Sequence, residues 1–229
     1  MSGAPSGPLV VAFSPHPDDE TYAMAGTLAH LAARGWRARV VYLTRGEAGV
    51  DERGPNPDLG ATREAEARAA CGVLGATPTF VGLPDGDVAS HPTDVAPYAE
   101  GARLVLTLGE DGAYGHPDHL ATTRMVAAAK LQATVLFAAF PKGLFAPIHR
   151  RLARFVALER GVDELGTERA DHVVDVRPYR ALKLAALAAH VSQLRGGDPR
   201  RFLVDGWIEG LLDEERWTHA SGPDFAFPP

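Results

Sequence analysis

Cysteine is scarce in this sequence, since Cys71 is the only one among 229 residues. A single cysteine excludes an intrachain disulfide and a thiolate cluster for zinc. Its position in an Ala-rich helical pattern favours a buried small side chain over a nucleophile. The chain also lacks an apolar run long enough to span a membrane, and residues 1–8 lack the basic start and apolar stretch of a signal peptide. These absences predict a cytoplasmic protein.

Positive charge is in the minority. Lysine and arginine number 23 against 29 aspartates and glutamates, which gives a net charge of −6. Because nucleic acid and anionic membranes bind to basic surfaces, we expect neither as a partner. The sequence contains no Gly-x-Ser-x-Gly elbow, phosphate loop or Gly-x-Gly-x-x-Gly fingerprint. The chemistry of the chain therefore has to come from other residues.

Two related motifs are present, His-Pro-Asp-Asp-Glu at 16–20 and His-Pro-Asp-His at 116–119. Each follows an apolar run that predicts a strand, 9–13 or 103–108, and precedes a helical pattern. One copy alone is compatible with a helix start that carries a surface histidine, because proline and aspartate both suit the first turn of a helix. Two copies bring three histidines, three aspartates and Glu20 to strand ends, which predicts a metal site.

Apolar runs and helical patterns alternate along the whole chain. This alternation predicts one α/β domain over 1–229, with a Rossmann-like three-layer fold, a mainly parallel sheet, and flexible ends at 1–8 and 221–229. In such a sheet ligands bind beyond the carboxyl ends of the strands, so we expect the metal site there. Later in the chain, we predict helices over 148–161, 179–194 and 202–217 and a strand over 172–176.

The residue types of the two motifs suit a catalytic metal. Two imidazoles and one carboxylate leave an open coordination position, at which zinc lowers the pKa of water to about 7. Fe²⁺ accepts the same ligands, so the choice of metal stays open. Asp18 and Asp19 are adjacent on a turn, so one can bind the metal while the other takes a proton from water. His116 and His119 can divide their roles in the same way, with Asp118 orienting a histidine.

These residues resemble the PIG-L/LmbE-like family of metal-dependent N-acetylglucosaminyl deacetylases, which carries Ala-His-Pro-Asp-Asp-Glu and a later His-Pro-Asp-His. Further matches are Gly-Thr-Leu at 26–28, Gly-Glu at 46–47, Arg-Glu at 63–64 and Ser-Gln at 192–193. The chain has proline at 15, where the family usually has alanine. The chain resembles in particular the deacetylases of mycothiol and bacillithiol synthesis, and it is shorter than the mycothiol enzyme.

The resemblance implies a role for each motif residue. The implied metal ligands are His16, Asp19 and His119, and the implied general base is Asp18. His116, oriented by Asp118, would stabilise the oxyanion or act as an acid, and Tyr114 would help to polarise the acetyl carbonyl. The residues expected to bind substrate are Arg63, Asp85, Glu47 and His190. For Asp85 a turn-capping role is an alternative, and for His190 the spacing alone favours a histidine on a helix surface that it would share with Lys183.

The resemblance also implies the reaction. The expected enzyme is a Zn²⁺-dependent hydrolase, with Fe²⁺ as the alternative metal, that removes the N-acetyl group from a small molecule containing N-acetylglucosamine, such as a malate or inositol conjugate. Another N-acylated sugar or conjugate is one alternative substrate. A metal-binding module without turnover is a second alternative, against which the acid-base residues beyond the three ligands argue. Trp36, Trp207 and Trp217 are candidates for contacts between copies in a homo-oligomer.

Overall fold

The computed structural model describes residues 7–229. Residues 1–6, and with them most of the N-terminal end predicted to be flexible, lie outside the described residues. Seven strands form one sheet in the order β3-β2-β1-β4-β5-β7-β6. The strands are β1 (Leu9–Ser14), β2 (Arg37–Tyr42), β3 (Ala76–Phe80), β4 (Ala102–Thr107), β5 (Thr134–Ala138), β6 (His172–Asp175) and β7 (Glu214–Ser221).

Helices connect the strands and cover the sheet. They are α1 (Asp19–Ala23), α2 (Ala25–Ala32), α3 (Leu59–Leu74), α4 (Gly112–Gly115), α5 (Pro117–Ala128), α6 (Ala146–Leu152) and α7 (Arg180–Ala188). The helical pattern after the first motif is divided between α1 and α2 at Met24, whose φ of −137° interrupts the helix. No helix among the described residues has the length and apolar character needed to cross a membrane.

The sheet is mainly parallel, as the sequence predicts. Within the described residues six strands run in one direction, and β7 runs antiparallel to both of its neighbours, β5 and β6. The order β3-β2-β1-β4-β5 is that of a doubly wound sheet, in which the chain reverses its direction of travel between β1 and β4. A crevice opens at the carboxyl ends of these two strands, and the two motifs follow these strands.

The alternating side chains of β1 show why the fold has three layers. Val10 and Ala12 belong to a core cluster that includes residues of α1, α2, α3 and α7, whereas Val11 and Phe13 belong to a second cluster that includes Val126 of α5. Because both faces of β1 are buried, its sequence is a continuous apolar run. Cys71 lies in the first cluster and is buried, as predicted.

The last part of the chain differs from the sequence predictions. The predicted helix over 202–217 is wrong, because only a short 3₁₀ helix (Trp207–Leu211) forms before β7 begins. The apolar spacing of residues 207–212 resembles that of a helix, but in β7 burial alternates, with Glu215 and Trp217 directed inwards. The predicted helices over 148–161 and 179–194 also end early, at Leu152 and Ala188.

Aromatic residues of the C-terminal segment pack against the rest of the chain. In residues 221–229, which the sequence predicts to be flexible, the Phe225 ring lies 6.0 Å from that of Trp36, centroid to centroid. Trp207 and Trp217 are buried inside this chain, with exposed fractions of 7% and 0%. They therefore cannot form the contacts between copies for which the sequence made them candidates.

Candidate functional site

The two motifs meet in the crevice between β1 and β4. Thr107 at the end of β4 donates a hydrogen bond from Oγ1 to the carbonyl of Phe13, which joins the two strand ends at 3.2 Å. His16 follows β1 by two residues, and His116 occupies the N-cap position of α5. Proline at the first position of α5 leaves no unused N–H there. The fold therefore brings together two segments that lie a hundred residues apart in the sequence.

Three buried ligand atoms lie within van der Waals distance of one another. His16 Nδ1 is 3.1 Å from Asp19 Oδ2 and 3.3 Å from His119 Nε2, and His119 Nε2 is 3.2 Å from the same Asp19 oxygen. A tetrahedral zinc ion with bonds of about 2.1 Å separates its ligand atoms by about 3.4 Å. The spacing of these atoms, which we call the ligand trio, therefore suits a small metal ion.

Hydrogen bonds on the far side of each imidazole direct its lone pair into the ligand trio. His119 Nδ1 donates to the carbonyl of Gly112 at 3.0 Å, and His16 Nε2 donates to Asp118 Oδ2 at 3.1 Å. Asp85 Oδ1 lies 3.0 Å from the same His16 nitrogen. In the tautomers that these bonds favour, the two nitrogens that face each other carry no proton and are free to bind a metal ion. The donor set fits a metal.

The Asp118 carboxylate bonds to His16 and not to His116, whereas the resemblance implies that Asp118 orients His116. Besides His16, the carboxylate accepts the backbone N–H groups of Gly86 at 2.7 Å and Val88 at 3.1 Å. It therefore links the ring of His16 to the loop that carries Gly86 and Val88, while the ring of His116 lies close by. That ring is held by a different bond, in which the backbone N–H of Asp118 donates to His116 Nδ1 at 3.2 Å. The proton of neutral His116 is then on Nε2.

Asp18 lies beside the ligand trio in a strained backbone conformation. Its φ is 111°, a region that residues with a Cβ rarely adopt. Its N–H donates to Glu20 Oε2 at 3.0 Å, and its carbonyl accepts the Thr21 hydroxyl at 2.6 Å. The Arg63 guanidinium donates to its carboxylate at 2.9 Å. These contacts hold the carboxylate apart from that of Asp19, at the wall of the same cavity.

Negative charge is in excess around the ligand trio. Burial raises the pKa of Asp18 to about 7, while Arg63 opposes the rise. Burial also acts to raise the pKa of Asp19, but His119 and His16 hold it well below its usual range. The pKa of His116 falls to about 3 because of burial and the nearby imidazoles. Four carboxylates, those of Asp18, Asp19, Asp85 and Asp118, lie here against one guanidinium and the imidazoles of His16 and His119. This imbalance favours a divalent cation.

A cavity of about 620 Å³ opens above the ligand trio. Tyr114 and His116 line its inner end, and the Tyr114 hydroxyl lies 3.3 Å from His119 Nε2. Two hydrogen-bond donors thus stand next to the ligand trio. The cavity also contains Tyr22, which the sequence analysis missed, and whose hydroxyl donates to Asp19 Oδ1 at 2.7 Å. Its position three residues after Asp19 on α1 is a signal that could have revealed this contact.

Two of the four residues expected to bind substrate line the cavity. Asp85 does so while it supports His16, and Arg63 does so while its guanidinium donates to the carbonyls of Pro17 and Gly46. The other two, Glu47 and His190, are outside the residues that line it. Glu47 accepts the backbone N–H of Asp85 at 3.2 Å.

His190 is fully buried behind the first motif. Its Nε2 lies 3.0 Å from Glu20 Oε1, and Glu20 in turn holds the N–H of Asp18. Because α7 ends at Ala188, His190 does not share a helix face with Lys183. Lys183 is buried elsewhere and pairs with Glu215. His190 therefore contacts the strained turn of Asp18 through Glu20.

Solved structures of similar shape contain different enzymes. An N,N'-diacetylchitobiose deacetylase from Pyrococcus horikoshii superposes with a TM-score of 0.63 and 20% identity, over 93% of this chain and 84% of that chain. A 4-carboxy-2-hydroxymuconate hydratase from Pseudomonas putida superposes with a TM-score of 0.65 and 17% identity, over 96% of this chain and 98% of that chain. The shared fold therefore does not decide the reaction.

Sequence similarity is more specific. A "1D-myo-inositol 2-acetamido-2-deoxy-alpha-D-glucopyranoside deacetylase" of Mycobacterium sp. is 34% identical to this chain, over 78% of this chain and 72% of the relative. The family described as GlcNAc-PI de-N-acetylase, PIG-L, matches residues 11–130, a segment that includes both motifs and the whole ligand trio. The chain therefore belongs to the PIG-L family.

Proposed function

We propose that the protein is a zinc-dependent hydrolase that removes the N-acetyl group from a small molecule containing N-acetylglucosamine. The observation that carries this proposal is the ligand trio with a separate carboxylate, Asp18, in the same cavity. A metal site alone would suit a binding module, whereas a metal site with its own base suits hydrolysis. The deacetylase name of the mycobacterial relative supports the choice of acyl group and sugar.

His16, Asp19 and His119 would hold the metal, with Asp85 and Asp118 fixing the ring of His16. When bound there, a zinc ion would polarise the amide carbonyl and make a coordinated water more acidic. Fe²⁺ suits the same ligands and is the alternative metal. Tyr22 holds the second oxygen of Asp19, so that one carboxylate oxygen stays directed at the two imidazoles.

The remaining residues of the cavity would move protons. Asp18 accepts a proton from the attacking water as the water oxygen bonds to the amide carbon, and Arg63 keeps its carboxylate in place. His116, neutral because its pKa is low, donates a hydrogen bond from Nε2 to the carbonyl oxygen as negative charge develops on it. Tyr114 is a second donor. Asp18 then returns the proton to the amide nitrogen, the C–N bond breaks, and acetate and a free amine leave.

The direct test is the release of free amine with zinc-loaded and chelator-stripped protein side by side. The substrates are N-acetylglucosamine, its inositol and malate conjugates, and N,N'-diacetylchitobiose. We expect turnover that disappears with the metal and returns when zinc or Fe²⁺ is added. Stoichiometric metal without turnover on any substrate would refute the proposal and favour a binding module. N-propionyl and N-butyryl analogues test the alternative that another acyl group is removed.

Two further predictions from the sequence stay predictions. Cell fractionation would test the cytoplasmic location. Size-exclusion chromatography with light scattering would test whether the protein forms a homo-oligomer.

A further inference from the structure

The cavity has an outer part whose wall is apolar. Phe155 and Val50 are 80% and 74% exposed, and both line the cavity together with Leu152, Val156 and Leu203. Exposure of large apolar side chains to water is unfavourable, and a ligand that covers them relieves this cost. Clusters of such side chains often mark binding grooves. The inner part, by contrast, is lined by His16 and Asp19 of the ligand trio and by polar neighbours such as Asp18 and His116.

The polar side chains of the outer part are bonded to one another or to backbone carbonyls. Arg151 pairs with Glu52 at 3.3 Å and donates to the carbonyl of Leu203, and the Gln193 amide donates to the carbonyl of Val50 at 3.1 Å. The other arginine that lines the cavity, Arg63, pairs with Asp18. Among the described lining residues, each Lys or Arg side chain is therefore already paired.

This pairing matters for the choice of substrate. A malate group carries carboxylates, which need cationic partners when they leave water. An inositol group carries several hydroxyls, each of which needs a hydrogen-bond partner on burial. The apolar outer wall offers little to either group. A cavity of about 620 Å³ is in the size range that encloses a drug-sized ligand, so it has room for a group attached to the acetylated sugar.

We infer that the substrate is a glycoside of N-acetylglucosamine whose aglycone is uncharged and apolar, an alkyl or aryl group that packs against Phe155, Val50 and Leu203. This inference rests on the proposed function, which assigns the inner part of the cavity to the N-acetylated sugar. Burial of the aglycone removes its surface and the surface of the exposed side chains from water together. The group therefore strengthens binding without contacting the reacting atoms.

The test compares kcat/KM for N-acetylglucosamine, its hexyl and phenyl glycosides in both anomeric forms, its malate and inositol conjugates, and N-hexanoylglucosamine. We expect a hexyl or phenyl glycoside to exceed free N-acetylglucosamine by about tenfold or more, mainly through a lower KM. A preference for the malate or inositol conjugate, or for the N-hexanoyl compound, would overturn the inference and leave hydrolysis of the amide established.

Substitutions in the apolar wall test whether these side chains cause the preference for the hexyl glycoside. Phe155→Ser and Val50→Ser should reduce the ratio of kcat/KM between the hexyl glycoside and N-acetylglucosamine several-fold. The matched control is Val173→Ser on β6, which is also exposed and lies outside the cavity, and which should leave this ratio unchanged. An unchanged ratio in both cavity variants would refute the apolar subsite. If no N-acetylated sugar releases amine, the proposed function itself fails, and this inference fails with it.

Discussion

Asp18 and Asp19 are neighbours in the chain, but their carboxylates have different partners. Asp19 directs one oxygen at the two imidazoles of the ligand trio, whereas Asp18 faces the Arg63 guanidinium. The positive φ of Asp18 produces this divergence, because it turns the backbone sharply between the two side chains. A rare backbone conformation thus separates the proposed metal ligand, Asp19, from the proposed base, Asp18.

The first prediction separates these two roles. Asp18→Asn should keep the metal and lose about 10²- to 10⁴-fold in kcat, the range typical of a lost acid-base group. Asp19→Ala should lose the metal itself, because it removes one of three ligands. Metal content after desalting, measured beside amine release, distinguishes the two. If Asp18→Asn loses metal as fully as Asp19→Ala, then Asp18 is a ligand.

The second prediction concerns pH. Asp18 accepts a proton only when ionised, so kcat/KM should fall as the pH falls through its pKa. Burial raises that pKa to about 7 in the metal-free chain, and Arg63 lowers it. A bound cation favours the ionised form, so the acid limb of the metal-loaded enzyme should lie below pH 7. Arg63→Met removes a positive charge and should shift the limb to higher pH.

Profiles of kcat/KM between pH 4 and pH 8 test this prediction. Arg68→Met is the matched control, because Arg68 lies on the same helix, α3, and is exposed at its surface. Its acid limb should coincide with that of the unmodified enzyme. Coincident limbs for Arg63→Met and the unmodified enzyme would show that Asp18 is not the group that titrates.

The sequence predicts that the two motifs meet, but it does not predict the hydrogen bonds that support the ligand trio. Two motifs at strand ends in a parallel sheet have to meet, which is why His16, Asp19 and His119 come together. The partner of Asp118 depends on the rotation of α5 about its axis and on the path of the loop that carries Gly86. Neither feature leaves a periodic pattern in the sequence. The apolar outer wall likewise comes from segments that share no motif.

At the scale of elements, β7 explains the largest difference between sequence and structure. Its residues 214–221 begin with three charged side chains, so the alternation of apolar and polar residues is poor and the strand signal is weak. The apolar residues just before it, at helical spacing, obscure that signal. β1 and β4 were easier to predict, because each is a mostly buried parallel strand that leads into one of the two motifs. β7 also buries Glu215, whose carboxylate accepts the N–H groups of Gly26 and Thr27.

The third prediction tests this buried carboxylate. Glu215 also pairs with Lys183 of α7, and burial lowers the pKa of that lysine while Glu215 opposes the shift. Glu215→Gln leaves the ammonium without a counter-charge and should reduce the free energy of unfolding by about 3–5 kcal/mol. Urea denaturation measures the loss. Glu214→Gln, at an exposed position of the same strand, should change it by less than about 0.5 kcal/mol.

A double variant adds a sharper test. Lys183→Met with Glu215→Gln removes the unpaired charge and should recover part of the loss, because the two changes act on one pair. A double variant as unstable as the sum of both single variants would contradict a direct pairing. A Glu215→Gln protein as stable as the unmodified one would refute the prediction altogether.

At the scale of the whole molecule, the ligand trio joins the two halves of the parallel sheet. His16 and Asp19 belong to the turn between β1 and α1, and His119 belongs to α5. An unfolded chain cannot hold these three atoms together, so a metal that binds them stabilises the folded state. The gain depends on the free metal concentration and on the dissociation constant.

The fourth prediction is therefore a metal-dependent Tm. At free zinc a thousandfold above Kd, binding adds about 4 kcal/mol, which for a chain of this length raises the Tm by about 8 °C or more. A chelator should reverse the rise. Differential scanning fluorimetry should show no rise for Asp19→Ala and a normal rise for Asp163→Ala, which removes an exposed carboxylate. A rise in Asp19→Ala equal to that of the unmodified protein would place the metal elsewhere.

The position of β7 also has a consequence for the synthesis of the protein. β7 is translated after both β5 and β6, yet it lies between them in the sheet. Until the ribosome has made β7, β5 has an open edge and β6 lacks the strand with which it pairs. An open strand edge is a template for pairing with other chains. The nascent chain is therefore prone to aggregate after β5 and β6 have been made and before β7 pairs with them.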